Sequence, residues 1–185
     1  MKAALFLDRD GVIIENRADY IRRWADVEIF PQALEALARI RHHPLHIVII
    51  TNQSAVGRGL LKKTEAEAIN VRLVKTIHEA GGRIDAVFMC PHTPEQNCTC
   101  RKPRPGLILQ AAETLGLDLS RSILIGDALS DIQAGQAAGI STNILVLTGR
   151  GFEQRALPEA ERMPPFQIFP DLSAALDALI PFPGS

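Results

Sequence analysis

The pattern that most constrains the fold is the alternation of short apolar runs with longer amphipathic stretches along the chain. Short apolar runs bounded by turn residues are typical of buried strands, whereas apolar residues three and four positions apart are typical of helices. Their alternation predicts an α/β fold, in which a doubly wound, mostly parallel sheet is covered by helices on both faces. The predicted strands are residues 3–7, 45–50, 84–89, 123–125 and 144–147, and the predicted helices are residues 31–42, 64–80, 105–115, 129–138 and 171–179.

Local signals set several helix boundaries. Thr64 is followed three residues later by Glu67, which predicts a capping box at the start of the second helix. Gly116 and Gly139 predict the ends of the third and fourth helices, because glycine readily adopts the left-handed conformation that terminates a helix.

Length and charge narrow the class of protein. The 185 residues suit one domain spanning residues 1–185, and the net charge of -1 lacks the basic footprint of a nucleic-acid-binding protein. No apolar run approaches the roughly 20 residues that cross a bilayer. Because the first residues lead directly into a buried strand, without the longer apolar stretch of a signal peptide, we expect a cytoplasmic protein. We also expect a monomer, since no apolar dimer face is evident.

Polar residues directly follow four of the predicted strands. In doubly wound sheets, ligands bind beyond the carboxyl ends of the strands, so we expect these residues to converge on one rim. They are Asp8 and Asp10 after the first strand, Thr51 and Asn52 after the second, Lys102 in the loop after the third, and Asp127 after the fourth.

Carboxylates dominate that rim. Asp8, Asp10 and Asp127 follow buried strands, and Asp131 lies one helical turn beyond Asp127. Buried carboxylates are costly unless a cation or hydrogen bonds compensate them, and Mg²⁺ binds carboxylates together with phosphate oxygens. The set therefore predicts a Mg²⁺-dependent phosphomonoesterase with Asp8 as nucleophile, giving an aspartyl-phosphate. Asp10 would protonate the leaving oxygen and then activate water.

Each of these residues also has an ordinary structural explanation when taken alone. Asp10-Gly11 is a common turn, Thr51-Asn52 is a common helix cap, and Lys102 is a typical surface lysine. Four polar groups at four successive strand ends nevertheless favour one shared site over four coincidences.

The order of these motifs resembles the haloacid dehalogenase superfamily of aspartate-nucleophile phosphatases, over about residues 3–147. The motifs are F-L-D-R-D-G, I-I-T-N-Q-S, C-R-K-P and I-G-D-A-L-S-D. The resemblance implies a Rossmann-like, HAD-like fold and a preference for Mg²⁺. It implies that Asp8 is the nucleophile, that Asp10 is the acid and base, that Thr51 and Lys102 bind phosphate, that Asp8, the Asp10 carbonyl and Asp127 bind Mg²⁺, and that Asp131 supports the metal site.

All three cysteines lie close to one histidine, in the pattern Cys90, His92, Cys98 and Cys100. Three thiolates and one imidazole complete a closed tetrahedral zinc site, which is structural rather than catalytic. The alternative is a set of buried thiols beside a chance histidine. Because this loop ends two residues before Lys102, the predicted zinc ion would fix Arg101 and Lys102 over the site.

A zinc loop that leads into C-R-K-P is similar to one branch of the superfamily, which contains heptose bisphosphate phosphatases and histidinol-phosphate phosphatases. The stretch T-N-Q-S-A-V-G-R-G is more similar to the heptose group and implies removal of the C7 phosphate of a heptose 1,7-bisphosphate. The implied substrate contacts are Asn52, Ser54, Arg58 and Arg101, with the two arginines on the distal phosphate. Histidinol phosphate is the alternative substrate, and a non-catalytic zinc-stabilised binding module is the alternative of another class.

Three residues depart from the family pattern. Val12 and Ala55 stand where threonine and glycine are common, and Ala128 stands where many relatives have lysine. The last difference removes one positive charge near the expected phosphate site. The segments after Asp10 and Thr51 are too short for a cap domain, so we expect a capless enzyme with an open site walled by the loops 13–28, 54–62 and 90–104. Asn16, Tyr20 and Trp24 would line one wall, with the alternative that Tyr20 and Trp24 pack their loop down.

Overall fold

The computed structural model describes residues 1–180, and within them six parallel strands form one sheet in the order β3-β2-β1-β4-β5-β6. This order is that of a doubly wound sheet, with the chain direction across the sheet reversing between β1 and β4. The strands are β1 (Ala4–Leu7), β2 (His46–Asn52), β3 (Ala86–Cys90), β4 (Ile123–Gly126), β5 (Thr142–Val146) and β6 (Gln167–Phe169).

Helices cover both faces of the sheet. Helices α1, α3 and α8 pack on one face and α4 and α5 on the other, and strand side chains alternate between the two cores. Leu5 and Leu7 of β1 enter the first core, for example, and Phe6 enters the second. The helices are α1 (Pro31–Arg39), α2 (Ser54–Gly57), α3 (Lys63–Glu79), α4 (Gly106–Leu115), α5 (Leu129–Ala138), α6 (Gly151–Gln154), α7 (Pro158–Arg162) and α8 (Leu172–Leu179).

The predicted α/β architecture is confirmed, with strand bounds that shift by one to two residues, and α5 has the predicted bounds. Gly116 and Gly139 adopt the left-handed conformation just after α4 and α5. The capping box predicted from Thr64 and Glu67 is wrong, because the Glu65 carboxylate instead accepts from the Lys62 backbone N–H at 2.8 Å.

The sequence pattern did not predict four short elements, namely α2, α6, α7 and β6. Elements of three to five residues carry too little periodicity to be recognised in a sequence. They lie in two segments, after Asn52 and after Val146, that the sequence pattern left as loops.

No separate cap domain covers the sheet within residues 1–180. The segment between β1 and α1 contains one short 3₁₀ turn, Trp24–Asp26, and the segment after β2 contains α2 and α3. The capless architecture is therefore confirmed for this part of the chain. No helix among these residues is both long and apolar enough to span a bilayer.

Candidate active site

Three buried carboxylates meet at the carboxyl ends of β1 and β4, where the strand order of the sheet reverses. Asp8 follows β1, Asp127 follows β4, and Asp131 lies in the first turn of α5. One oxygen from each lies within 4.8 Å of the others. Gly11, at φ +85°, makes this close approach possible, because a β-carbon there would overlap the Asp127 carboxylate. Neighbouring carboxylates packed this closely need a compensating positive charge.

Lys102 supplies part of that charge. Its side chain is 2% exposed, and its Nζ lies 2.9 Å from Asp8 Oδ1, 2.6 Å from Asp131 Oδ1 and 2.9 Å from the Ile50 carbonyl. The Asn52 side chain holds the Lys102 backbone by accepting from its N–H and donating to its carbonyl, at 3.2 and 3.1 Å. The carboxyl end of β2 thereby fixes the lysine beside the end of β1.

The charge balance remains negative without a further cation. Burial raises the pKa of Asp8 to about 8; Lys102 opposes this rise, and Asp131 and Asp127 add to it. Burial likewise raises the pKa of Asp127, with Asp131 contributing. Burial opposes the charge on Lys102, but Asp131 and Asp8 more than compensate and raise its pKa above the ordinary lysine value. A bound dication would favour the ionised form of both Asp8 and Asp127.

Asp10 is the fourth carboxylate and points into a separate network. Arg9 donates to both of its oxygens at 3.0 Å, Gln53 donates to Oδ2 at 3.2 Å, and the Thr51 hydroxyl lies 3.4 Å from Oδ2. Thr51 is fully buried. The sequence motifs place Arg9 and Gln53 on this rim but indicate no role for either residue. The alternation of side chains along the chain was the available signal for Arg9, since it must face away from Asp8.

A cavity of about 550 Å³ opens above these carboxylates. Its polar lining and its position beyond the strand ends suit a small polar ligand. The lining residues include Asp8, Asp10, Asn16, Arg17, Tyr20, Asn52, Ser54, Pro94, Arg101, Lys102, Asp131 and Arg150. Trp24 lies elsewhere: its ring packs against the core, and the Arg72 guanidinium stacks 4.6 Å from its centre.

Three arginines line the cavity, namely Arg17, Arg101 and Arg150. Arg101 donates to the Ser54 hydroxyl at 2.8 Å and to the His92 carbonyl at 3.0 Å. Arg58 is not among the lining residues. Its Nε donates to the Tyr20 hydroxyl at 3.0 Å, so it reaches the cavity only through Tyr20.

Arg150 was missed because it lies in a segment that the sequence pattern left unassigned. Its backbone N–H donates to Asp127 Oδ2 at 2.9 Å, and its guanidinium lies 3.5 Å from Asp127 Oδ1. It therefore places a positive charge beside Asp127, the residue before Ala128.

The cysteine loop brings its four predicted ligands together. The three sulfur atoms lie 3.2 to 3.6 Å apart, and His92 Nδ1 lies 3.6 Å from Cys90 Sγ and 3.4 Å from Cys100 Sγ. Ligand sulfurs of a tetrahedral zinc ion are separated by about 3.8 Å, given Zn–S bonds of about 2.3 Å. None of the three cysteines is in a disulfide. The four atoms therefore fit one tetrahedral ion.

Comparisons with known proteins agree with this geometry. A family model described as HAD-hydrolase-like matches residues 99–175. A D-glycero-beta-D-manno-heptose-1,7-bisphosphate 7-phosphatase from Pseudomonas aeruginosa is 36% identical, with the match covering 97% of this chain and 98% of that protein. The corresponding enzyme from Escherichia coli K12 is 33% identical over 85% of this chain and 84% of that protein.

A solved structure is similar over nearly the whole fold. The D,D-heptose 1,7-bisphosphate phosphatase of B. bronchiseptica, in complex with magnesium and phosphate, superposes with a TM-score of 0.86. It is 34% identical, and the match covers 97% of this chain and 98% of that one.

Proposed function

Because this chain belongs to the heptose bisphosphate 7-phosphatase family of HAD-like hydrolases, we propose that it removes the C7 phosphate of D-glycero-D-manno-heptose 1,7-bisphosphate. The observation that carries the proposal is the cluster of Asp8, Asp127 and Asp131 beside Lys102, of which Asp8, Asp131 and Lys102 line a cavity that also contains three arginines. Lys102 and a metal ion held by the carboxylates would bind the phosphoryl group that is transferred. The arginines that line the cavity would bind a second phosphate.

The carboxylate cluster fits Mg²⁺. Its donors are hard oxygens, all three side chains are buried, and a single buried lysine serves two of them. We assign the ligands to Asp8, the Asp10 backbone carbonyl and Asp127, with Asp131 orienting Lys102 beside them. When bound, Mg²⁺ would neutralise the phosphoryl oxygens and keep Asp8 ionised.

Transfer of the phosphoryl group starts at Asp8. One of its carboxylate oxygens attacks phosphorus while the bond to the sugar oxygen breaks, and Asp10 donates its proton to that oxygen. Lys102 balances charge on the transferring group, and Thr51 and the Asn52 backbone N–H provide further donors. Asp10 then takes a proton from water as the water oxygen attacks the aspartyl-phosphate, which releases inorganic phosphate and regenerates Asp8.

The second phosphate of the substrate would contact Arg101. This guanidinium lines the cavity and is fixed by Ser54 and by the zinc loop through the His92 carbonyl. Arg17 lines the same cavity from the loop after β1. Arg58 would act indirectly, by orienting Tyr20. The three lining arginines disfavour the cationic histidinol phosphate, so that alternative substrate is not favoured.

We further propose that Cys90, His92, Cys98 and Cys100 bind one structural Zn²⁺ ion. All four ligand positions would be taken by protein atoms, which leaves no open position for catalysis. The ion would hold the loop that carries Arg101 and Lys102. A monomeric, cytoplasmic enzyme remains a prediction of the sequence.

Phosphate release in the presence of Mg²⁺ tests this function. Heptose 1,7-bisphosphate, fructose 1,6-bisphosphate and histidinol phosphate are compared side by side by kcat/KM. We expect a clear preference for the heptose bisphosphate. A preference for histidinol phosphate would refute the substrate assignment, and no release from any of the three would refute the catalytic assignment.

A further inference from the structure

Arg9 is the largest of the fully buried side chains, with 1% of its surface exposed. A fully buried arginine is rare unless its charge is paired, because removing the guanidinium from water is costly. Its position between the two catalytic carboxylates, Asp8 and Asp10, gives it no direct access to substrate. It does not line the cavity above the carboxylate cluster.

Four of the five N–H groups of the Arg9 guanidinium have acceptors. Nε and Nη2 donate to Asp10 Oδ2 and Oδ1, both at 3.0 Å. Nη2 also donates to Gln53 Oε1 at 2.9 Å, and Nη1 donates to Asn70 Oδ1 at 2.8 Å. Asn70 is a buried residue of α3, and Gln53 follows β2. The network thus ties the end of β1 to the end of β2 and to a core helix.

We propose that Arg9 is a positioning residue for the general acid and base Asp10, and that its fork holds the Asp10 carboxylate in the orientation that proton transfer needs. This proposal rests on the catalytic role proposed for Asp10. Arg9 would act through Asp10 and would not contact the substrate.

The two oxygens of Asp10 have different surroundings. Oδ2 faces three donors: Arg9 Nε at 3.0 Å, Gln53 Nε2 at 3.2 Å and the Thr51 hydroxyl at 3.4 Å. Oδ1 has one donor among the described residues, Arg9 Nη2. A carboxylate oxygen accepts about two hydrogen bonds, so the donors around Oδ2 hold that oxygen in place, whereas Oδ1 has room for a further partner.

Gln53 fixes the orientation of this network. Its Oε1 accepts from Arg9, whereas its Nε2 donates to the Thr51 hydroxyl at 2.7 Å and to Asp10 Oδ2 at 3.2 Å. Reversing the amide would place donor against donor at Arg9. Because Asp10 must deliver a proton in one step and accept one in the next, a fixed carboxylate benefits both steps.

The proton is donated to the leaving oxygen while its bond to phosphorus breaks. Esters with a poor leaving group need that proton most, whereas 4-nitrophenolate departs easily without it. A defect in Asp10 positioning therefore lowers kcat/KM for phenyl phosphate more than for 4-nitrophenyl phosphate. A general loss of structure lowers both alike, so the ratio of the two values isolates the positioning role.

The test compares wild-type protein with Arg9→Lys, which keeps the charge but loses the fork, and with Asn70→Leu, which removes the acceptor of Nη1. General acid catalysis contributes about 10²- to 10⁴-fold, so we expect Arg9→Lys to change the ratio by roughly tenfold or more. Asn70→Leu should change it in the same direction by a smaller factor. If Arg9→Lys fails to fold, the ratio of the two kcat/KM values in Asn70→Leu tests the proposal.

Arg83→Lys is the matched control. Arg83 donates to the carbonyls of Arg41, His43 and Leu45, away from the carboxylate cluster, and its loss should leave the ratio unchanged. An unchanged ratio in the folded Arg9 and Asn70 variants would overturn the proposal. Wild-type turnover of the heptose bisphosphate and the aryl esters is measured first, so a failure of the proposed function appears before any variant is compared.

Discussion

Replacing Lys102 with methionine would leave two buried carboxylates without the cation that they share. The Asp131 carboxylate is 2% exposed and would lose a partner at 2.6 Å, and Asp8 would lose one at 2.9 Å. Removing one partner of a buried ion pair typically costs about 3–5 kcal/mol. Since each kcal/mol shifts the Tm of a domain of this size by about 2–4 °C, we expect a fall of about 6–20 °C.

The loss should depend on pH in a defined direction. The pKa of Asp8 is raised to about 8 in the folded protein, so this carboxyl group opposes folding increasingly as the pH rises from the ordinary aspartate range towards 8, and no further above it. Without Lys102 this pKa rises further, so the variant should keep losing stability above pH 8, by up to about 1.4 kcal/mol for each pH unit, until its own raised pKa is reached. Below pH 8 the loss comes chiefly from Asp131.

Urea unfolding in magnesium-free buffer, with zinc retained, measures the effect at several pH values. The double variant Lys102→Met with Asp131→Asn removes the uncompensated charge together with its partner. We expect it to recover much of the stability while remaining inactive. A double variant as unstable as the single one, or a loss independent of pH, would contradict the charge-balance argument.

Three further substitutions probe the remaining parts of the site. Asp8→Asn should reduce turnover by at least about a thousandfold without changing the circular dichroism spectrum, and a phosphorylated intermediate seen by mass spectrometry in this variant would refute the nucleophile assignment. Cys98→Ser should lower the zinc content and the thermal stability together. Finding no zinc in the wild-type protein by elemental analysis would refute the zinc site. Arg101→Ala should raise KM for the bisphosphate by roughly 10- to 100-fold, through loss of a contact worth about 1.5–3 kcal/mol, and should have little effect with a monophosphate. Arg58→Ala is the matched comparison: its exposed guanidinium should contribute less than about 1 kcal/mol, so an equal effect would place the distal phosphate elsewhere.

The sequence allowed prediction of those parts of the site that depend on strand ends. Buried strands are recognisable as apolar runs, and parallel strands bring their carboxyl ends to one edge of the sheet. The positions of Asp8, Thr51 and Asp127 relative to one another therefore followed from approximate strand assignments. Cys90, His92, Cys98 and Cys100 were recognisable for a different reason, since their spacing alone brings them close together.

The direction in which a side chain points was harder to predict. The residues next to Arg9 in the sequence would suit an exposed turn equally well. Its burial depends on Gln53 and Asn70, which come from distant parts of the chain. Arg150 belongs to a segment without periodicity and reaches the site only because β5 ends beside β4. Arg58 shows the converse, because a motif position suggested a substrate contact that the fold places behind Tyr20.

The loop between Cys90 and Cys100 has two parts with different roles. Its ends are fixed by the clustered cysteines, and Lys102 stands two residues after Cys100. Its tip, including Pro94, forms part of the cavity wall. Insertions or substitutions between His92 and Cys98 can therefore reshape the wall without displacing the lysine beside Asp8. The shape of the cavity wall and the position of the catalytic groups are therefore set by different parts of one loop.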